Sequence, residues 1–210
     1  MKKIVFIHTV PDIISRLNRE LKLRLPGTRI ENIMDDQLST ILQYDREKVL
    51  DRLNTLVRLA EDGCESGDVE FILTCTALSD IADEAHRPLQ VLDQYLHKAL
   101  AELDSFLLVA TSEGALSPTT KGIQKYSSGK DIRKREIYVN GAREAIKNGD
   151  KSLHDRLITT AIIGALEKES YDGIALCQPS MSHLKDELSK DTQIAVLTGI
   201  DTFLENFRIR

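Results

Sequence analysis

Short, unbroken apolar runs alternate along the chain with longer stretches in which apolar residues recur at three- and four-residue steps. Ile4-Val5-Phe6-Ile7, Phe71-Ile72-Leu73, Phe106-Leu107-Leu108-Val109 and Ile174-Ala175-Leu176 are too short for helices and show no polar alternation. That is the mark of strands buried on both faces of a parallel sheet. Asp45 to Cys64 carries Val49, Leu50, Leu53, Leu56, Val57 and Ala60 at helical spacing, and Ser152 to Glu169 repeats the pattern with Leu153, Leu157, Ala161, Ile162 and Leu166. Further helices are expected at Asp93 to Leu103 and Gly199 to Phe207. Strands alternating with helices predict an α/β protein with parallel crossover connections.

The elements repeat. Phe6 set against Leu107 gives 107 − 6 = 101, Ile30 against Ile137 gives 137 − 30 = 107, Cys75 against Cys177 gives 177 − 75 = 102, and Val91 against Ala195 gives 195 − 91 = 104. A period this long signals duplicated lobes, because solenoid repeats are much shorter. The expected fold is therefore α/β, with two pseudo-symmetric lobes, each a mainly parallel sheet flanked by helices. The lobes span residues 1–104 and 105–210, with the C-terminal helix free to cross over, and the site lies in the cleft between them. In open parallel sheets ligands gather outside the carboxyl ends of the strands, where both cysteines and the loops after Ile7 and Val109 emerge.

Composition narrows the class. The chain has 210 residues, 41% hydrophobic, enough to bury a sizeable core. No run is long enough to span a bilayer, and Met1-Lys2-Lys3 leads into a strand-like run unlike a secretory leader, so a cytoplasmic protein is expected. Three cysteines without a Cys-x-x-Cys pair or zinc-like Cys/His spacing argue against a disulfide scaffold and a structural metal. A net charge of −5 disfavours nucleic acid, although Lys121, Lys125, Lys130, Arg133, Lys134 and Arg135 gather around Ser127-Ser128-Gly129. That segment suits a solvated loop leading into a strand, or else a cationic lid over an anionic substrate.

Cys75 and Cys177 each close an apolar run and open a polar, helix-compatible segment. A strand end followed by a helix start offers unpaired backbone N–H groups that stabilise a thiolate. Thr74, Thr76, Ser180 and Ser182 add hydroxyls. Cys64 lies among Glu61, Asp62 and Glu65, which oppose its ionisation, so it is read as incidental. Two opposed thiols suit the removal of a proton from one face of a carbon acid and the return of another to the opposite face. The developing enediolate needs hydrogen-bond donors. His8, Thr9, Thr76, Ala77, Thr111, Ser112 and Ser180 stand in the loops that would supply them.

These residues resemble the aspartate/glutamate/hydantoin racemase superfamily, and the resemblance covers essentially the whole chain. Cys75-Thr76-Ala77 is similar to the family's Cys-Asn-Thr-Ala signature without the Asn, and Val109 to Ser117 is similar to its Ala-Thr-x-Gly-Thr substrate loop. The resemblance implies a cofactor-independent enzyme, without metal, whose two cysteines act as acid and base on a small carboxylate or hydantoin-like substrate. The chain departs from the pattern at His8-Thr9-Val10-Pro11 and at Leu176-Cys177-Gln178-Pro179-Ser180. A homodimer suits an enzyme of this size, and neither a nucleic-acid nor a membrane partner is expected. The rival expectation is a ligand-binding or regulatory protein on the same scaffold, with structural cysteines.

Among the histidines, His8 at a strand end is expected at the site as a hydrogen-bond donor or proton shuttle. His183, His86, His97 and His154 are expected at surface positions. Asp93 and Asp201 are read as matched residues after the last strand of each half, as N-caps or as supports for the site.

Overall fold

The computed structural model describes residues 2–11, 13–61, 69–87 and 89–209; Cys64 lies outside them. Two compact units emerge, one of Met1–Asp93 with Leu204–Arg210, the other of Gln94–Phe203.

The first unit is built on a four-stranded parallel sheet of β1 (Lys3–His8), β2 (Arg29–Met34), β3 (Val69–Leu73) and β4 (Gln90–Val91), in the order β2-β1-β3-β4. All of β1 is buried, which is why its sequence shows no alternation. Helix α1 (Ile14–Arg24) follows β1, and α2 (Gln37–Ile41) and α3 (Arg46–Glu61) connect β2 to β3. Val49, Leu53 and Val57 of α3 recur every fourth residue and pack with Leu38 and Ile41 of α2 on Val5, Ile7, Phe71 and Leu73.

The second unit repeats the plan. After α4 (Gln94–Ala101), strands β5 (Ser105–Ala110), β6 (Arg133–Tyr138), β7 (Gly173–Leu176) and β8 (Ala195–Thr198) form a parallel sheet in the order β6-β5-β7-β8. The other helices are α5 (Leu116–Gln124), α6 (Ala142–Lys147), α7 (Lys151–Leu166), α8 (Lys185–Thr192) and α9 (Gly199–Asn206). One face of the sheet packs Leu107, Val109, Ile174 and Leu176 against Ile158 and Ile162 of α7 and Leu188 of α8. The other packs Phe106, Leu108, Ala110 and Ala175 against Leu96 and Leu100 of α4 and Ile123 of α5. Each sheet has the same strand order, so the predicted duplicated α/β lobes are present.

Two histidines expected at the surface are buried instead. His154 of α7 is 0% exposed and His97 of α4 is 4% exposed. Each lies on its helix's apolar stripe, His154 four residues before Ile158 and His97 three and four before Leu100 and Ala101. That spacing was the available signal. His97 also requires Gly122, because a Cβ there would stand 2.2 Å from His97 Nδ1. Burial, with Lys125 nearby, lowers the His97 pKa to about 4, so the ring is neutral.

Among the described residues no helix is long and apolar enough to cross a membrane. Half of the basic segment's cations form local ion pairs: Lys130 with Asp104 at 2.9 Å, Arg133 with Glu169, and Lys134 with Glu136. Such exposed pairs contribute little stability, but they leave those cations committed.

Candidate functional site

At the carboxyl end of the first sheet, β3 ends and Cys75 starts a 3-10 turn at Thr76–Leu78 in extended conformation, φ −96° and ψ 112°. This geometry aims the backbone N–H groups of Ala77 and Leu78 at the sulfur, and the Thr9 hydroxyl from the loop after β1 joins them. Cys75 is a free thiol and half-buried. The three donors favour the thiolate, in line with the sequence expectation. Burial is nevertheless the largest influence, and with the nearby Asp93 it raises the thiol pKa above its ordinary value. Desolvation thus outweighs the donors that the sequence led one to expect would favour the thiolate.

Two further groups brace this edge. His8 is fully buried, with Nε2 at 2.9 Å from Asn32 Oδ1 and Nδ1 at 3.0 Å from Thr74 Oγ1. Asn32 Nδ2 donates to Asn18 Oδ1 at 3.0 Å, which leaves Asn32 Oδ1 as the acceptor facing His8. The ring therefore carries its proton on Nε2. Burial lowers its pKa, with the Asn32 bond opposing, so His8 is neutral at neutral pH and both its nitrogens are engaged. The Thr76 hydroxyl donates to Asp93 Oδ2 at 2.6 Å. His8, Thr9, Thr76, Ala77 and Cys75 thus gather at one sheet edge.

The second unit gathers Thr111, Ser112 and Cys177 at the corresponding edge, with Ser180 in the 3-10 turn Pro179–Leu184. Its hydrogen bonds correspond to those of the first at an offset of 103, one more than the spacing of the cysteines. Ile7 O accepts from Thr74 N at 3.0 Å, whereas Val109 O accepts from Cys177 N at 2.9 Å. Leu73 pairs with Ile7 and Leu176 with Val109, an offset of 176 − 73 = 103. Leu78 N bonds to Cys75 O and Met181 N to Gln178 O, both at 3.1 Å, again 181 − 78 = 103. The structural counterpart of Cys177 is therefore Thr74, and that of Cys75 is Gln178. The cysteines do not occupy matched positions. They also pack on different faces: Cys75 against the α2 and α3 side of its sheet, and Cys177, 1% exposed, within the α4 and α5 side of its own.

Gln178 does in its unit what Cys75 does in the other, in that it engages the loop after the central strand. Its Oε1 accepts from Thr111 N at 2.7 Å, and the Thr111 hydroxyl lies at 3.4 Å. Beside it, Arg143 in the first turn of α6 donates to Ser112 Oγ at 3.3 Å. Sequence reasoning missed both residues. Gln178 passes for an ordinary polar helix start, and the signal for Arg143 was its place in the loop-helix junction after β6, at the sheet edge where ligands gather.

His154, Asp155 and His183 form the one described cluster with metal-ligand atoms within 4.8 Å of one another. His154 Nδ1 and His183 Nε2 both approach Asp155 Oδ1, at 2.7 and 2.8 Å. His154 Nε2 is buried without a hydrogen-bond partner among the described residues. A metal on Nδ1 would force the proton onto that nitrogen, where nothing accepts it, so the donor set fits hydrogen bonding to Asp155 rather than an ion. Asp201, read from sequence as the match of Asp93, accepts from the Thr198 hydroxyl and faces Lys185 at 3.7 Å.

No family model matches the chain, and no curated protein matches it. Solved structures share its fold. An aspartate racemase from Picrophilus torridus is 13% identical, covering 97% of this chain and 91% of its own, with a TM-score of 0.71. An allantoin racemase from Klebsiella pneumoniae is 14% identical over 98% and 85%, with a TM-score of 0.63. An unliganded arylmalonate decarboxylase is 14% identical over 98% and 90%, with a TM-score of 0.51. At these identities the likeness is one of fold.

Proposed function

We propose that this chain is a cofactor-independent isomerase of racemase type, moving a proton at the α-carbon, next to the carbonyl group, of a small amino acid or related carboxylate or hydantoin-like substrate. The observation that carries this is the cradle of Cys75: a half-buried thiol at a strand end, with the Thr9 hydroxyl and the Ala77 and Leu78 N–H groups directed at its sulfur. Donors that stabilise a thiolate let it take a proton from a weak carbon acid, and the thiol so formed can return one. Arg143, which has no ion-pair partner among the described residues, supports an anionic substrate, with Thr111 and Ser112 beside it as further donors.

In the two-thiol form of this proposal, Cys75 serves one face of the substrate and Cys177 the other. Cys177 is 1% exposed, so that form requires the substrate-bound chain to open the sulfur to the ligand. A second reading is favoured by the register of the two strands: Cys75 acts alone on one face, and the product is protonated or exchanged without inversion. One acid/base group suffices for that chemistry.

Incubation with single enantiomers of amino acids and hydantoins in deuterated water tests the proposal. The two-thiol form predicts α-deuterium in both enantiomers, with racemisation lost in both Cys75→Ser and Cys177→Ser. The one-thiol reading predicts deuterium with retained configuration, lost only in Cys75→Ser. Absence of exchange from every small acid would leave the ligand-binding alternative as the better account.

A further inference from the structure

Asp93 follows β4 at the carboxyl edge of the first sheet and is 1% exposed. Its Oδ2 accepts the Thr76 hydroxyl at 2.6 Å, while its Oδ1 is buried with no hydrogen-bond partner among the described residues. A carboxylate in that setting is costly, because desolvation penalises charge and one hydroxyl does not replace water. The carboxyl accordingly holds its proton up to about 7. The matching position of the second unit is apolar. Val91 pairs with Leu73 and Thr198 with Leu176, so the offset here is 198 − 91 = 107 and the residue matching Asp93 is Ile200, 1% exposed. Where one half buries an isoleucine, the other buries an ionisable carboxyl whose only partner among the described residues belongs to the residue next to Cys75.

We propose that Asp93 is a positioning residue for Cys75, sharing a single negative charge with it: the thiolate forms readily only while Asp93 keeps its proton, and Thr76 ties the carboxyl to the turn that carries the thiol. Asp93 is the charge that acts on the sulfur; the other groups directed at it are the neutral Thr9 hydroxyl and two backbone N–H groups. On Asp93 itself burial is the largest influence and raises its pKa, with the Thr76 hydroxyl opposing. Of the neighbouring titratable groups at this sheet edge, His8 on β1 is neutral and fully bonded, and Asp35 after β2 is paired with Arg52 of α3 at 2.5 Å. The inference rests on the reading of Cys75 as the working thiol, but it is read out without a substrate.

The experiment is iodoacetamide alkylation of the full chain from pH 5 to 10, with site-resolved mass spectrometry of Cys75. In the native protein the logarithm of the rate should rise with pH, flatten near pH 7 as Asp93 ionises, and then rise again. Asp93→Asn keeps an oxygen for Thr76 and removes the charge. It should abolish the flattening and lower the apparent pKa of Cys75 by about one unit. Above about pH 8, where the native Asp93 is ionised, and below the pKa of the thiol, the variant's thiol should alkylate roughly threefold faster, since a tenfold larger thiolate population is partly offset by its weaker nucleophilicity; below about pH 6 the two rates should coincide. A rise without flattening in the native protein, or an unchanged thiol pKa in a folded Asp93→Asn, would overturn the inference. If the variant does not fold, the native profile alone decides. A native profile without the flattening, with α-deuterium exchange intact, would count against charge sharing only, and a flattened native profile without exchange against the enzyme reading only.

Discussion

The two units carry the same sheet and end it differently. On the first, the strand corresponding to β7 runs one residue further before its thiol, so Cys75 starts a 3-10 turn and meets three donors, with a buried carboxyl behind it. On the second, the turn begins at Gln178, which bonds the loop at Thr111, while Cys177 stays among the apolar residues of the strand's inner face. Because side chains alternate faces along a strand, one residue decides whether a thiol is presented to a site edge or kept in a core. Duplication has preserved the scaffold and let the chemistry at the two edges diverge.

Removal of the presented thiol should have the greatest consequence. Cys75→Ser should lower α-proton exchange by about a thousandfold, the range for loss of a general acid/base, while changing stability by less than about 1 kcal/mol. Exchange assays and thermal unfolding on the same preparation check both.

Next is the pH dependence of stability. A carboxyl whose folded pKa is raised from 3.8 to about 7 binds its proton more tightly in the folded chain than in the unfolded one. The fold therefore loses stability as pH rises through that interval and is flat above it. Three pKa units correspond to at most about 4 kcal/mol. Denaturant unfolding at a series of pH values should show that fall in the native chain and its absence in Asp93→Asn. A parallel pH dependence in the two proteins would assign the charge elsewhere.

Smaller effects are expected in the second unit. Gln178→Ala leaves the Thr111 N–H, in a residue 3% exposed, without its acceptor and should cost about 1–3 kcal/mol. Cys177→Ser places a hydroxyl in an apolar cluster and should cost about 1–2 kcal/mol. If Cys177→Ser is neutral in stability but abolishes exchange, the two halves are chemically more alike than their registers imply.

The strands were legible because fully buried parallel strands leave unbroken apolar runs, and α3 and α7 because their stripes are regular. The cysteine match was not. The spacing between the cysteines is 102 while the strands that carry them are offset by 103, and sequence spacing alone does not reveal a one-residue difference in the loops. Hydrogen bonding at the strand end does. Similarly, Asp93 has the sequence setting of a cap, and only its burial and its orphaned oxygen separate it from Asp201. Arg143 and Gln178 carry no spacing signature at all, since they lie after β6 and β7 and meet the site edge only by bonding Ser112 and Thr111 of the loop after β5.

The first unit presents its thiol and the second encloses it. Site-resolved iodoacetamide labelling of the native, ligand-free chain at pH 8 tests it most directly. Cys75 should be modified faster than Cys177 by roughly two orders of magnitude, because a core thiol reacts only through local opening, and the difference should vanish on denaturation. Equal rates in the native chain, or faster labelling of Cys177, would contradict the account.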